Sequence, residues 1–429
     1  MPDSKYLVIG NSAAAVGAVE AIRAIDPEGS LTILSRESEP VYSRPLISYL
    51  LGGKVEPAAL AYRPAGFYRA MGVEAKLGVS ATAIDPAART VAAYDGQAYG
   101  YDRLLIATGG RPIVPPLEGS ELAGVFSFTT LADARAIETF ITEQGVGSAV
   151  VIGGGLIGLK SVEALAARGL KVSVVELAER VLSITLDQAA SALAAEALAE
   201  SGVELITGNT VERIHGRAGV VSGVTLADGR RLDCGLVILA IGVAPDTSLA
   251  ETAGIATDRG ILVDSTMATS APGIYAAGDV AQASEIISGQ KRSIPIWPLA
   301  VAQGRVAGAA MAGGDARYPG GLAMNSVEIG GLAFISAGLT TVPEDDGLVQ
   351  LSRLEPETKT YRKVMLQDGK LVGYVLVGAV ERAGILTGLI QSGIQVAELG
   401  ETLLSDELGL IHLDPDYRAR LLAGKGAVA

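Results

Sequence analysis

Cysteine is almost missing: Cys234 is the only one in 429 residues. An intrachain disulfide is therefore excluded. With 2 histidines and no CxxC pair, nothing in the sequence reads as a ligand set for zinc or an iron–sulfur cluster. Long apolar runs are missing too. None approaches the ~18 residues of a membrane span, and Tyr6-Leu-Val-Ile9 reads as a strand where an export signal would lie. The expectation is a cytoplasmic protein with no membrane insertion. Positive charge is short, 34 basic against 47 acidic residues for a net −13, which repels nucleic-acid backbones and anionic lipid. Nucleic acid is not expected as a partner.

Glycine and aliphatic side chains are plentiful instead. The chain holds 54 glycines, nearly twice the usual share of about 7%, with no collagen-like period. Hydrophobic residues make up 49% and charged ones 19%, enough apolar material to bury for a folded chain. At roughly 150 residues per domain, about three domains are expected.

Two segments share one grammar. Tyr6–Ile9 reads as a strand, Gly10-Asn-Ser-Ala-Ala-Ala15 as a turn, and Val16, Val19, Ile22 and Ile25 fall at helical spacing before the β-rich Leu31-Thr-Ile-Leu34. The pattern returns in Ala149-Val-Val-Ile152, Gly153-Gly-Gly-Leu156-Ile157-Gly158, a helix closed by Gly169, and Lys171-Val-Ser-Val-Val175. A closing element repeats as well: Leu104-Leu-Ile-Ala107-Thr108-Gly109 resembles Val237-Ile-Leu-Ala-Ile-Gly242. Two dinucleotide folds of similar plan are expected, each with a small β-meander signalled by Asp95-Gly96 and Asp228-Gly229. Asp187 is placed to cap a helix that ends near Gly202. From about residue 321 the pattern changes to hairpin strands, Tyr361–Leu366 and Leu371–Val377 about an Asp368-Gly369 turn, and an amphipathic helix near Glu381–Ile390, read as a separate α+β domain.

Gly153-x-Gly155-x-x-Gly158 lies between strand and helix, where glycines permit a tight turn and close approach of a pyrophosphate to a helix N-terminus. Glu176 ends the next strand, about 20 residues on, placed to bind adenosine ribose hydroxyls and to repel a 2′-phosphate. NAD is expected over NADP. The first loop is degenerate, with Ser12 and Ala15 where the later glycines would stand, and Glu37 could hold a second ribose. Ala276-Ala-Gly278-Asp279 puts a strand, a glycine turn and a carboxylate in a row, suited to a ribityl chain.

Gly10-x-Ser12, Ala107–Gly109, the Gly153–Glu176 unit, Gly278-Asp279 and Trp297-Pro-Leu-Ala-Val-Ala-Gln-Gly304 together resemble the FAD- and NAD(P)H-dependent pyridine nucleotide-disulfide oxidoreductase superfamily. Within it, Pro40-Val-Tyr-Ser-Arg-Pro45 is similar to the branch of NADH-dependent rubredoxin, ferredoxin and nitrite reductases. The resemblance implies an α/β protein of two Rossmann-like domains plus a C-terminal α+β domain. It divides the chain into an FAD domain (1–112 and 244–320), an inserted NAD domain (113–243) and a C-terminal dimerisation or partner-docking domain (321–429). It sets Gly10, Ser12, Ala14 and Ala15 around the FAD pyrophosphate, Glu37 on the adenosine ribose, and Arg44 and Pro45 by the isoalloxazine. It sets Ala107–Gly109 near the adenosine half, Asp279 on ribityl or pyrophosphate oxygens, and Trp297 near the flavin pyrimidine.

Two departures matter. Relatives that reduce disulfides carry a cysteine near Tyr42–Pro45, which this chain lacks, and Lys160 stands where many relatives have a glutamate. That lysine is the candidate catalytic residue, a cation that could face the flavin. The expected function is an FAD-dependent NADH oxidoreductase exchanging electrons with an iron–sulfur or other redox protein, including as a subunit of a larger 2-oxoacid oxidoreductase. A stand-alone NADH oxidase or small-acceptor reductase, and a redox-signalling flavoprotein, stay open as alternatives.

Overall fold

The computed structural model describes residues 3–341 and 347–423. They divide into two compact units.

The first unit gathers the N-terminal stretch to Leu50, Val55–Pro112 and Val243–Leu322. Its sheet runs in the order Val73–Leu77, Leu31–Ser35, Asp3–Ile9, Ala98–Ile106, Thr90–Ala93, Ala81–Asp85. The first four strands are parallel and the last two run antiparallel. Ala98–Ile106 pairs with Asp3–Ile9 and with two further strands along its length. Its first residues pair with the meander strand Thr90–Ala93, and Leu104–Ile106 pair in parallel with Ile274–Ala276. A parallel centre must be covered on both faces, and Tyr6–Ile9 and Leu104–Ile106 are all buried.

The helix Ala13–Ile25 buries Ala13–Val19 and Ile22 and packs on the helix Trp297–Met311. Only small residues allow the observed approach. A Cβ on Gly304 would lie 2.0 Å from the Ala14 carbonyl oxygen, and one on Gly308 2.3 Å from that of Ala18.

The second unit holds Leu51–Lys54, Ile113–Gly242 and the C-terminal part of the chain from Ala323. Its parallel sheet has the order Glu204–Ile206, Lys171–Val175, Ser148–Ile152, Leu236–Leu239, Val125–Ser127. The meander is Val211–Arg217, Val220–Leu226 and Arg231–Leu232. A separate antiparallel sheet orders Met324–Ile329, Leu332–Gly338, Lys370–Val377, Thr360–Gln367 and Val349–Glu355, with the helix Ala383–Ser392 burying Leu386, Leu389 and Ile390.

The sheet from Met324 onward falls in the same compact unit as the Ile113–Gly242 stretch. The joint is visible. Asp187 caps the helix Gln188–Glu200 by accepting the Ala190 N–H at 3.1 Å, and its other oxygen accepts from Tyr361 Oη at 2.6 Å and Lys363 Nζ at 3.0 Å. Lys359 pairs with Glu196 and Glu200 on the same helix. These long-range polar contacts leave no trace in hydrophobic periodicity.

Candidate functional site

In the second unit the glycine loop lies where a parallel strand hands over to a helix. Gly153 (φ 111°) donates its N–H to the Val175 carbonyl at 2.8 Å, and a Cβ there would strike the Ala240 carbonyl oxygen at 2.4 Å. Gly158 presses on Gly153, where a Cβ would meet the carbonyl oxygen at 1.9 Å. Gly155 is the N-cap of the helix Leu156–Ala167, offers no side-chain cap, and faces open space where a Cβ would point. Backbone N–H groups at such an end need an acceptor, and an anion supplies it. The loop therefore fits a pyrophosphate.

Glu176 sits over that loop. Its Oε2 accepts the Gly154 N–H at 2.5 Å and its Oε1 the Ala178 N–H at 2.7 Å. The chain then turns back so that the Leu182 N–H reaches the Gly154 carbonyl at 3.0 Å, with Leu182 held at φ 51°. Gly242, at φ 130°, closes the sheet and accepts the Ile113 N–H.

In the first unit, Gly10 (φ 116°) sits against Ala107, where a Cβ would lie 2.1 Å from the carbonyl oxygen. The degenerate loop and the Ala107–Gly109 turn thus meet across adjacent strands. Ser12 is the N-cap of Ala13–Ile25 and makes no side-chain cap bond, so the helix start bearing Ala14 and Ala15 is also free to receive an anion. Thr108 Oγ1 is spent on the Asp246 carbonyl, and Gly109 takes φ 70°. Gly278 lies close to the same helix start: a Cβ on it would stand 3.1 Å from the Ala14 side chain, and its N–H donates to the buried Gln303 at 2.9 Å. Gln303 is a positioning residue within the Trp297–Gly304 segment, in which the sequence alone assigns it no role.

Next to Gly278, the Asp279 carboxylate accepts no hydrogen bond from the described residues. Burial pushes its carboxyl above the ordinary range, while the Arg44 guanidinium pulls it back. A desolvated carboxylate of this kind fits a hydroxyl-bearing chain. It lines a cavity of about 660 Å³, within the range typical of cofactor sites.

Glu37 and Arg44 were assigned to opposite ends of a dinucleotide, but here they are ion-paired with each other, and Tyr42 Oη donates to the same carboxylate at 2.6 Å. The Arg44 guanidinium lies 5.2 Å from the Tyr42 ring centroid. Pro45 follows in the short turn Arg44–Leu46. Trp297 opens its helix edge-to-face on Tyr62, with centroids 4.9 Å apart. Lys160 donates to Glu163 at 2.8 Å and to the Glu328 carbonyl at 3.4 Å, and Glu163 also takes Lys54 at 2.5 Å. Burial opposes ionisation of Glu163, yet hydrogen bonds from Lys160 and Lys54 hold its carboxyl below the ordinary range. Cys234 is buried beneath the second unit's meander, and burial pushes its thiol up to about 11. Among the described residues no His, Cys, Asp and Glu group could hold a metal, and no helix is long and apolar enough to cross a membrane.

Two glycine loops on two parallel sheets, one carrying a ribose-type carboxylate and the other a half-buried aspartate that accepts no hydrogen bond from the described residues, define a two-cofactor oxidoreductase. The chain belongs to the pyridine nucleotide-disulphide oxidoreductase family, which it matches over residues 4–304. Residues 324–394 match the rubredoxin NAD+ reductase C-terminal domain. It is 33% identical over 410 residues to the epsilon subunit of an NADH-dependent phenylglyoxylate dehydrogenase from Aromatoleum evansii, covering 95% of this chain and 96% of that one. It is 31% identical over 435 residues to an NADH oxidase from Methanocaldococcus jannaschii, covering 95% and 96%. A solved NAD-dependent persulfide reductase from A. fulgidus superposes with a TM-score of 0.85 at 30% identity, over 98% of this chain and 83% of that one. The protein is an NAD(P)H oxidoreductase that uses FAD and NAD(H) and has no redox-active disulfide.

Proposed function

We propose that the chain takes a hydride from NADH and passes the electrons one at a time to a redox-protein partner in the cytoplasm. FAD occupies the first unit and NAD(H) the second. One NADH becomes NAD+ and a proton while two one-electron carriers are each reduced once. FAD, when bound, supplies the conversion between two-electron and one-electron steps.

The chain's own residues have separate tasks in this reading. Gly153, Gly155 and Gly158 give the NADH pyrophosphate close access to the helix N-terminus, with Leu156 and Ile157 supplying its first-turn N–H groups. Glu176 presents carboxylate oxygens to the adenosine ribose. Asp279 accepts a hydroxyl of the ribityl chain, Glu37 takes the adenosine ribose, and Arg44 serves both carboxylates, ion-paired with Glu37 and acting on Asp279 through its field.

The observation that carries the proposal is the state of the single thiol. Cys234 is 5% exposed and burial pushes its thiol up to about 11, which keeps it protonated and out of reach as a relay. With FAD bound, no thiol of this chain would stand between the flavin and the carrier. The match of residues 324–394 to a rubredoxin reductase domain supports a protein acceptor. The test is anaerobic: NADH bleaches the bound flavin, and oxidised rubredoxin or ferredoxin then restores it with two carriers consumed per flavin. Reoxidation by oxygen alone, with neither carrier reacting, would favour the oxidase reading that the Methanocaldococcus relative suggests.

A further inference from the structure

The crossover from Glu176 to Leu186, in the second unit, is held from both sides. On one side it grips the glycine loop, through Glu176 on the Gly154 N–H and the Leu182 N–H on the Gly154 carbonyl. Leu182 keeps a left-handed backbone there, a conformation that a leucine retains only where its surroundings impose it. On the other side the crossover runs straight into the helix Gln188–Glu200. Ser191 Oγ donates to the Val181 carbonyl at 2.9 Å, and Val181, Leu182 and Leu186 are buried. A group that fixes the start of that helix therefore fixes the crossover.

The C-terminal sheet supplies two such groups. Tyr361 and Lys363 stand at alternate positions of Thr360–Gln367 and so share a face. Both donate to Asp187 Oδ2, while Oδ1 caps the helix. The Lys363–Asp187 pair is largely out of water, with side chains 11% and 15% exposed. Burial, with Asp187 beside it, pushes the Tyr361 hydroxyl up, so it stays a donor. Further along the same helix, Lys359 takes Glu196 and Glu200, and the turn at Gly330 comes so close that a Cβ would lie 2.5 Å from the Ala197 carbonyl oxygen. The helix is pinned along its length and not at one end alone.

We propose that Tyr361 and Lys363 are positioning residues for NAD(H): through Asp187 they hold the Glu176–Leu186 crossover in the shape that offers Glu176 to the adenosine ribose. This rests on the NAD(H) reading of the second unit. The two side chains act by leaving less of the crossover to be ordered when the nucleotide binds. By linkage the effect is reciprocal, and NAD(H) bound at Glu176 strengthens the hold of the C-terminal strand by the same factor.

The holoenzyme is titrated calorimetrically with NAD+ and with ADP-ribose, which has the adenosine half and no nicotinamide. Tyr361→Phe combined with Lys363→Met should raise both dissociation constants by about tenfold, within the usual range of coupling between sites. In turnover the KM for NADH should rise by the same factor while kcat holds. Lys363→Met alone should lose part of the affinity and Lys363→Arg regain it, so that the loss follows the bond to Asp187 and not the packing. Hydrogen exchange on the wild type needs no variant, and saturating NAD+ should slow the amides of Thr360–Gln367. Unchanged affinity for both ligands in the variants, a loss in kcat at fixed KM, or exchange in that strand indifferent to NAD+ would overturn the coupling and leave Glu176 in its role. A wild type that binds neither NAD+ nor ADP-ribose, or an affinity that survives Glu176→Ala, would overturn the NAD(H) reading itself.

Discussion

Glu176 and Gly154 are joined directly: the carboxylate accepts the backbone N–H of the loop glycine at 2.5 Å. In the proposed reading, this bond fixes the group that chooses between nicotinamide nucleotides to the loop that receives their pyrophosphate. Glu176→Ala removes both the ribose acceptor and the repulsion of a 2′-phosphate. The ratio of kcat/KM for NADH over NADPH should drop by about tenfold or more, since 1.4 kcal/mol of lost discrimination is one power of ten. Equal wild-type values for the two nucleotides would remove Glu176 from the role.

Cys234 titrates in a window that can be stated. Its folded pKa of about 11 stands above the ordinary 9.0 because burial disfavours the thiolate. The stabilisation this implies is complete below pH 9 and is lost as pH rises towards 11, because the unfolded chain releases the proton first. Urea midpoints of wild type and Cys234→Ala, compared at neutral pH and near pH 10.5, should show the wild type losing ground by up to about 2 kcal/mol. An aromatic disulfide reagent should label the thiol only after unfolding. Prompt labelling of folded protein would contradict the burial.

Asp187 joins the helix Gln188–Glu200 to the C-terminal sheet. Asp187→Ala removes a helix cap, worth about 1 kcal/mol, and leaves Tyr361 and Lys363 without their acceptor, at about 1–3 kcal/mol more. Tyr361→Phe removes one bond and should cost only about 1 kcal/mol. Chemical denaturation read by circular dichroism checks both, and equal stability of the two variants would mean that the joint contributes nothing beyond a single bond.

Lys160 was expected to act on the flavin, and its ammonium is engaged by Glu163 and the Glu328 carbonyl. Lys160→Met should lower stability by no more than about 1 kcal/mol, as for other partly exposed ion pairs. The flavin midpoint potential should stay at the wild-type value. A lowered potential would place this cation beside the flavin.

What could be read from the chain depended on the kind of constraint. Gly10, Gly153 and Gly158 are legible because a carbonyl within 2.4 Å of the would-be Cβ leaves only glycine tolerable. The strand–turn–helix grammar around them follows from burial on both faces of a parallel sheet. Tyr361–Leu366 and Leu371–Val377 are legible from the Asp368-Gly369 turn, and lie within Thr360–Gln367 and Lys370–Val377. The pairing of Glu37 with Arg44, the grip of Gln303 on Gly278 and the docking of Lys54 on Glu163 are not. Each joins residues on different elements through one polar contact, and periodicity records which face is buried but not which polar group answers another across it.

Electrons that leave the flavin for a partner protein, with no thiol relay, should do so whether or not Cys234 is present. The most direct test is anaerobic NADH oxidation by wild type and Cys234→Ser, measured with ferredoxin, with rubredoxin and with disulfide substrates, and repeated in air with oxygen alone. Turnover should depend on a carrier, reduce two carriers per NADH, and be the same in both proteins. Disulfide reduction that disappears in Cys234→Ser, or NADH oxidation that proceeds at full rate with oxygen and no carrier, would contradict direct transfer from flavin to carrier.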